Sequence, residues 1–365
     1  MKINWKFVSM GIVAAFWLLL TVTAWLSPPE EASQTERREL AQFPEITGDR
    51  ILSGRFAEEF EDYTLDQFPL RDTFRQIKAR FHRDVWKQKD NNGIYMAQGS
   101  AAKLEYPMNE ASVNNALKVF NRIREKYLQD SKVYLAVVPD KSYYLASEGG
   151  QPTMDYEALF EKMRQGMPWA DYVNLTDVLS GEDYYRTDTH WRQERLLKAA
   201  GRLCDAMNIP APKEGDYTAQ TASRPFYGVY FGQAALPMEP DTLVTMHSDL
   251  LSACRVKNHE TGRYGDVYDA SKLTGKDMYE VFLSGSVSLL TIENPQAETD
   301  RELIIFRDSF GSAIAPLLVQ GYKTVTLVDV RYLSSAMLGR FLDFHGQDVL
   351  FLYSTTVLNN SNQMM

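Results

Sequence analysis

Two short stretches hold the residue types that nucleophilic chemistry needs. One is Arg186-Thr187-Asp188-Thr189-His190-Trp191; the other is Arg307-Asp308-Ser309-Phe310-Gly311. A hydroxyl is a poor nucleophile at neutral pH. It needs a base within hydrogen-bond reach, and the base needs a group to orient it. Ser309, His190 and Asp188 are the right types for those three roles. Asp188 and His190 stand two apart, too close to share one helix face. In a loop or at a helix start, however, a carboxylate can fold back onto a near imidazole. The chain order Asp, His, Ser is no obstacle, because triads occur in unrelated orders. Spacing alone does not bring position 190 to position 309, and each residue has a plainer reading. Ser309 suits a helix cap. Asp188 suits the N-cap of a helix over Trp191–Met207. His190 suits a histidine bonded to a backbone carbonyl.

The elements around them must do the positioning. Leu303 to Phe306 is a short continuous apolar run, as expected of a strand covered on both faces. Ser312 to Leu318 reads as a helix interrupted by Pro316. A serine between the two projects beyond the carboxyl edge of a sheet, where the next helix's N–H groups face a developing oxyanion. Candidate oxyanion donors are the Ser309 N–H and Gly285, with Ser286 beside it, in Phe282-Leu283-Ser284-Gly285-Ser286. Gly285 reads equally well as a turn glycine. Upstream, Val113, Ala116, Leu117, Phe120, Ile123 and Tyr127 line one helix face. Val133–Val138 reads as a strand, with Lys141 and Tyr143 just past its end in structural roles. A helix is expected near Tyr156–Met163, a strand near Tyr172–Leu175, and a helix with an apolar face from Leu196 to Met207. Residues 211–300 lose periodicity, with strand candidates at Leu243–Met246 and Val287–Ile292. They read as an irregular insertion carrying substrate contacts or a lid. Lys323–Val328 and Val349–Tyr353 read as strands and Ala336–Phe344 as a helix. Strand, helix, strand is the order of an α/β parallel sheet.

The chain of 365 residues has 44% hydrophobic residues, enough for a real core and too many for disorder. Its net charge of -9 argues against a nucleic-acid partner. It leaves room for a polysaccharide, and the 20 tyrosines suit one. Cys204 and Cys254 allow one disulfide in an exported protein, although Cys204 falls on the apolar side of a helix, as a buried thiol would. No Cys/His cluster has zinc spacing and no phosphate-binding glycine loop follows a strand, so no cofactor and no metal is expected. Lys2 and Lys6 precede an uncharged run from Phe7 to Leu26, long enough to span a bilayer, with the positive end inside. The expected organisation is a signal anchor and tether over residues 1–30, a helical stalk over 31–90 and an α/β domain over 91–365. A cleaved signal is the alternative, since Val22-Thr23-Ala24 is small enough to be cut.

YYRTDTHW before an amphipathic helix, then YEVFLSG, LIIFRDSFGSAIAPLL, VDVRYL and VLFLY, resembles the DHHW family of bacterial exported proteins. It also looks like the SGNH-hydrolase-like domain of the alginate O-acetyltransferase proteins. The resemblance covers roughly residues 90–358. It implies a flavodoxin-like α/β sandwich with Asp188, His190 and Ser309 at the triad positions. It also implies acyl transfer to or from a polysaccharide outside the membrane, with a membrane-bound O-acyltransferase as partner. Two departures stand out. Thr189 replaces the first histidine of the DHHW pattern, and FLSGS replaces the usual FLGGN, so Ser286 stands where an asparagine donor is expected. That second departure keeps open a non-catalytic reading, a glycan-binding or assembly component. The topology is testable directly: a C-terminal alkaline phosphatase fusion to the whole chain is expected to be active. An inactive fusion beside a bright cytoplasmic fluorescent fusion would reverse the orientation.

Overall fold

In the computed structural model, residues 5–33 and 35–365 are described. Gln34 and residues 1–4, including Lys2 of the leading charge pair, lie outside the described residues. The rest falls into two compact units, one of residues 5–91 with Ala235–Pro237, the other Asn92–Ala234 with Met238–Met365.

In the first unit, Trp5–Leu26 is one helix of 22 residues, long and apolar enough to cross a membrane. It fits a signal anchor or a signal sequence equally. Helices Arg55–Asp66 and Arg71–Asp84 follow. Phe60 and Tyr63 pack edge-on against Phe43, at ring separations of 5.9 and 5.4 Å. Ile77, Phe81 and Trp86 remain exposed.

The second unit is built on an eight-stranded sheet. In chain order its strands are β1 (Val133–Val138), β2 (Asp171–Tyr172), β3 (Arg255–Asn258), β4 (Tyr264–Gly265), β5 (Leu289–Glu293), β6 (Glu302–Arg307), β7 (Thr324–Val328) and β8 (Asp348–Ser354). Their order across the sheet is β4-β3-β5-β7-β6-β8-β1-β2. The five from β7 to β2 are parallel. The three at the other edge are antiparallel. The expected α/β sandwich is thus the observed fold.

Alternation along the strands makes two cores. Tyr134, Ala136, Val138, Leu303, Ile305, Leu350 and Leu352 face one side, against Ala199, Ala200, Leu203 and Met207 of helix Leu197–Met207. Val133, Leu135, Val137, Ile304, Phe306, Val349 and Phe351 face the other, against Val113, Ala116, Phe120 and Ile123 of helix Glu110–Tyr127. Both faces are covered, which is why the strands read as continuous apolar runs. The step from β6 to β7 runs one way across the sheet and the step from β1 to β2 runs the other. A crevice opens at the carboxyl ends where such crossovers diverge.

Several elements differ from expectation. Residues 211–300 are more regular than their composition suggests: Thr218–Phe226 pairs with Asp241–His247, and β3, β4 and β5 extend the main sheet. Short strands broken by register shifts and turns hide their period. The stretch after Ser309 is an α-helix only over Phe310–Ile314, then tightens to 3₁₀ over Ala315–Gly321, with Pro316 near its start. Residues 335–340 are 3₁₀, and the strand expected at 172–175 ends at Tyr172. Cys204 and Cys254 are free, buried thiols. Burial pushes them up to about 12 and about 11.

The β6-to-helix junction is tight. A Cβ on Gly311 would lie 2.6 Å from Cβ of Arg307 and 3.0 Å from its Cγ. Alanine would gain up to ~1 kcal/mol of helix propensity, but overpacking costs ~1–3 kcal/mol. The overlap should win, because both atoms sit close to the backbone. Gly311→Ala is expected to lower the thermal midpoint of the chain; an unchanged or higher midpoint would show that the junction yields.

Candidate active site

The junction is fixed by the residue before the serine. Asp308 is fully buried at the end of β6. Its Oδ1 accepts from the Phe310 N–H at 3.0 Å and its Oδ2 from the Ser354 N–H at 2.7 Å, at the end of β8. One carboxylate therefore closes the turn and ties it to the neighbouring strand. Ser309 is half-buried, with φ −59° and ψ −24°, and its side chain makes no capping bond. The plainer reading of Ser309 as a cap is not what the hydroxyl does.

Asp188 and His190 lie on a loop that doubles back on itself. Tyr184 and Trp191 form an antiparallel bridge, and the Tyr185 N–H donates to the His190 carbonyl at 3.0 Å. The loop is then fastened to the serine's helix. Trp191 Nε1–H donates to the Phe310 carbonyl at 3.1 Å, and Gln193 Nε2–H to that of Ala313 at 2.8 Å. Asp241 holds the other flank, accepting from the Arg186 and Thr187 N–H groups at 2.9 and 2.8 Å and from the Thr187 hydroxyl at 2.6 Å. Lys141 closes it from below: its buried amine donates to the Tyr185 and Arg186 carbonyls at 2.8 and 3.3 Å. Burial pulls that amine down to about 7, against the opposing pull of Asp188 and Asp241.

These supports bring the three residues together. Asp188 Oδ1 lies 2.6 Å from His190 Nδ1, and His190 Nε2 lies 2.7 Å from Ser309 Oγ. Asp188 Oδ1 also accepts from the His190 N–H at 3.0 Å, and Oδ2 from the Val229 N–H at 2.8 Å. The network assigns the proton to Nδ1, leaving Nε2 to accept from the serine. The imidazole is buried between Tyr279, stacked at 3.8 Å and 7°, and Phe310 at 5.1 Å. Neither plainer reading holds: Asp188 does not cap the helix, which starts at Leu197, and the His190 ring contacts a carboxylate and a hydroxyl.

The candidate oxyanion donors sit differently. Gly285 adopts φ +78°, which favours glycine, and its N–H donates to the Phe282 carbonyl at 3.2 Å. Ser286 is exposed. The turn is held by Arg307, whose buried guanidinium donates to the Gly285 and Val287 carbonyls at 3.3 and 3.2 Å. Among the described residues, the Ser309 N–H makes no hydrogen bond. Among the described residues there is also no cluster of His, Cys, Asp and Glu that could hold a metal ion.

Sequence reading missed Gly228, Asp241, Tyr279 and Arg307. Gly228 is decisive: its N–H donates to Thr187 Oγ1 at 2.8 Å, and a Cβ there would lie 2.2 Å from Asp188 Cβ and 2.4 Å from Oδ2. Only a residue without a side chain lets this backbone reach the carboxylate. Gly228→Ala should push Asp188 off His190. A misplacement of that size is worth about 10²-fold, read as slower modification of Ser309 by phenylmethanesulfonyl fluoride. An unchanged rate would show that Asp188 does not set the reactivity of Ser309.

Residues 160–328 match the family described as DHHW protein. No curated protein matches the chain. Among solved structures, the chain is similar to a DHHW family protein from Eubacterium siraeum, 20% identical, with a TM-score of 0.61 over 75% of this chain and 94% of that one. It is also similar to PatB1 from Bacillus cereus, 17% identical, with a TM-score of 0.57 over 73% of this chain and 96% of that one. PatB1 with a sulfonyl adduct gives 18% and 0.56, over 73% and 97%. At such identities the likeness is one of fold. The DHHW family model is matched over residues 160–328, which include the DTHW and DSF stretches that carry the resemblance.

Proposed function

We propose that this protein is a serine-dependent acyl transferase or esterase that works outside the membrane on an O-acetylated polysaccharide. The observation that carries the reading is the unbroken chain from Asp188 through His190 to Ser309, at 2.6 and 2.7 Å. Ser309 Oγ attacks the acyl carbonyl while His190 Nε2 takes its proton. The tetrahedral oxyanion is met by the Ser309 N–H. Collapse expels the alcohol, which leaves with the proton from His190, and the acyl group stays on Ser309. An acceptor hydroxyl, of a sugar or of water, repeats the steps in reverse. Asp188 holds the tautomer and stabilises the imidazolium. The choice of polysaccharide and acetyl group rests on the resemblance carried by the DTHW and DSF stretches. On the same ground, the acyl donor is a membrane-bound O-acyltransferase, reached through the N-terminal helix.

One observation favours the other reading, a glycan-binding assembly component: the Gly285 N–H is spent on Phe282 and no asparagine stands at 286. Losing one oxyanion donor costs ~10²–10³ in rate, which slows the chemistry without ending it.

The test uses the whole chain in detergent micelles with p-nitrophenyl acetate. Ser309→Ala and His190→Ala are each expected to cost roughly 10⁴–10⁶-fold, and not to add, because triad members act as a unit. Asp188→Asn should cost roughly 10–10² less. A sulfonyl fluoride adduct should map to Ser309, the reagent class being chosen because PatB1 of Bacillus cereus was solved with a sulfonyl adduct. Full activity in folded Ser309→Ala, or an adduct elsewhere, overturns the acyl-transfer reading.

A further inference from the structure

Helix Arg71–Asp84 is held to the first unit by one face. Ala79 is fully buried there, and Arg71 and Arg75 lie 2.5 and 3.0 Å from the Glu36 carboxylate. The opposite face carries Phe74, Ile77 and Phe81, at the three- and four-residue spacing that makes one stripe, and Val85 continues it at the helix end. All four are exposed. So is Trp86, which packs edge-on against Phe81 at 5.3 Å. We propose that this helix lies in the surface of an anionic phospholipid bilayer, the same bilayer that Trp5–Leu26 is long enough to cross.

The charge around the stripe selects that occupant. Residues 71–89 hold seven Lys and Arg against two Asp, a net of +5 in a chain of net charge -9. Past Asp72, the acidic side chain of this stretch is Asp84, and Arg83 pairs with it at 2.7 Å. Lys78 and Arg80 are exposed and border the stripe on its two sides, and Lys87 is exposed just beyond it. Such side chains lay their stems along apolar surface and leave the charge at the phosphate level. An apolar face of aromatic and aliphatic residues, edged by cations, is the pattern of a helix lying in the membrane interface. Trp86 suits the same depth, where an amphipathic ring meets both lipid and water.

The unit also delivers the helix to that surface. The membrane-length helix ends at Leu26, with Trp25 exposed beside it. Four residues on, the Glu30 N–H donates to Gln67 Oε1 and the Glu30 carbonyl accepts from Gln67 Nε2, both at 2.9 Å. Gln67 stands four residues before Arg71. Each four-residue step spans at most about 14 Å. Thr23 and Ser27 also line one cavity with Leu70 and Thr73, so the end of the first helix and the start of the second meet directly. A helix fastened there has the headgroup layer within reach.

The experiment places a nitroxide on Ile77→Cys or on Gln76→Cys in the whole chain, reconstituted in vesicles of phosphatidylcholine and phosphatidylglycerol at about three to one. Cys204 and Cys254 are buried, so the introduced thiol is the one that reacts. Gln76 is exposed but points away from the stripe. Dissolved oxygen concentrates in lipid, and a nickel chelate stays in water. The Ile77 label is expected to favour oxygen over nickel several-fold more than the Gln76 label does. Each exposed cation is worth about fivefold in binding to an anionic surface. Lys78→Glu, Arg80→Glu and Lys87→Glu together are therefore expected to return the Ile77 label to water. Equal nickel access at the two labels, or an unchanged Ile77 signal in the folded triple variant, overturns the proposal. So does an Ile77 label shielded from oxygen and nickel alike, as under a second copy or another protein. The labels should read the same in a Ser309→Ala chain, because docking rests on the first unit and not on the acyl-transfer reading.

Discussion

The site depends on one buried carboxylate, Asp188, and on the donors that reach it. It is fully buried, and a ring nitrogen and backbone N–H groups from two separate segments reach it. Such a charge is tolerated only when donors replace the water it has lost. That requirement reaches outward. Val229 must present its N–H, so Gly228 must have no side chain. Thr187 must hold Gly228, so Asp241 must hold Thr187. Each step is an ordinary hydrogen bond worth ~1 kcal/mol net. Each is expensive to break alone, because the break strands a buried acceptor. The imidazole thereby receives one orientation, and the serine is the last member placed.

The residues proposed to do the chemistry were legible because histidine is scarce, at 5 in the chain, and their local settings are distinct. Ser309 sits where an apolar strand gives way to small helical residues, and Asp188 and His190 precede a helix with a clear apolar face. The sheet was legible for a related reason: β1, β6, β7 and β8 are covered on both faces, so each reads as a solid apolar run. The two layers of helices around them follow from the 3.6 period of residues 113–127 and 196–207.

What stayed hidden depends on partners distant in sequence. Asp241 acts 54 residues from Thr187, and nothing local marks it apart from any acidic residue at a strand start. Gly228 looked like one turn glycine among many. Its role exists only because the Asp188 side chain lies 2.2 Å from where its Cβ would be. Residues 211–300 lost their period for a physical reason. The pairing of Thr218–Phe226 with Asp241–His247 shifts register twice, and β3 and β4 are short strands at one side of the sheet, too short to show a period. The stretch that composition marked as an irregular excursion in fact supplies Gly228, Val229, Asp241 and Tyr279 to the triad loop.

Arg307 shows how one buried cation can couple the strand that presents Ser309 to the Gly285 turn. Burial lowers its affinity for a proton, and Asp329, 3.8 Å away, offsets part of that cost. Its donors go to the Gly285 and Val287 carbonyls, so that turn hangs from the same strand that presents Ser309. Gly311 must be small for the Arg307 stem to lie flat. Any shift of β6 therefore moves serine and turn together. A polar side chain at position 286 could be lost from such a turn without loosening it, because the backbone carbonyls, not the side chains, are what the guanidinium grips.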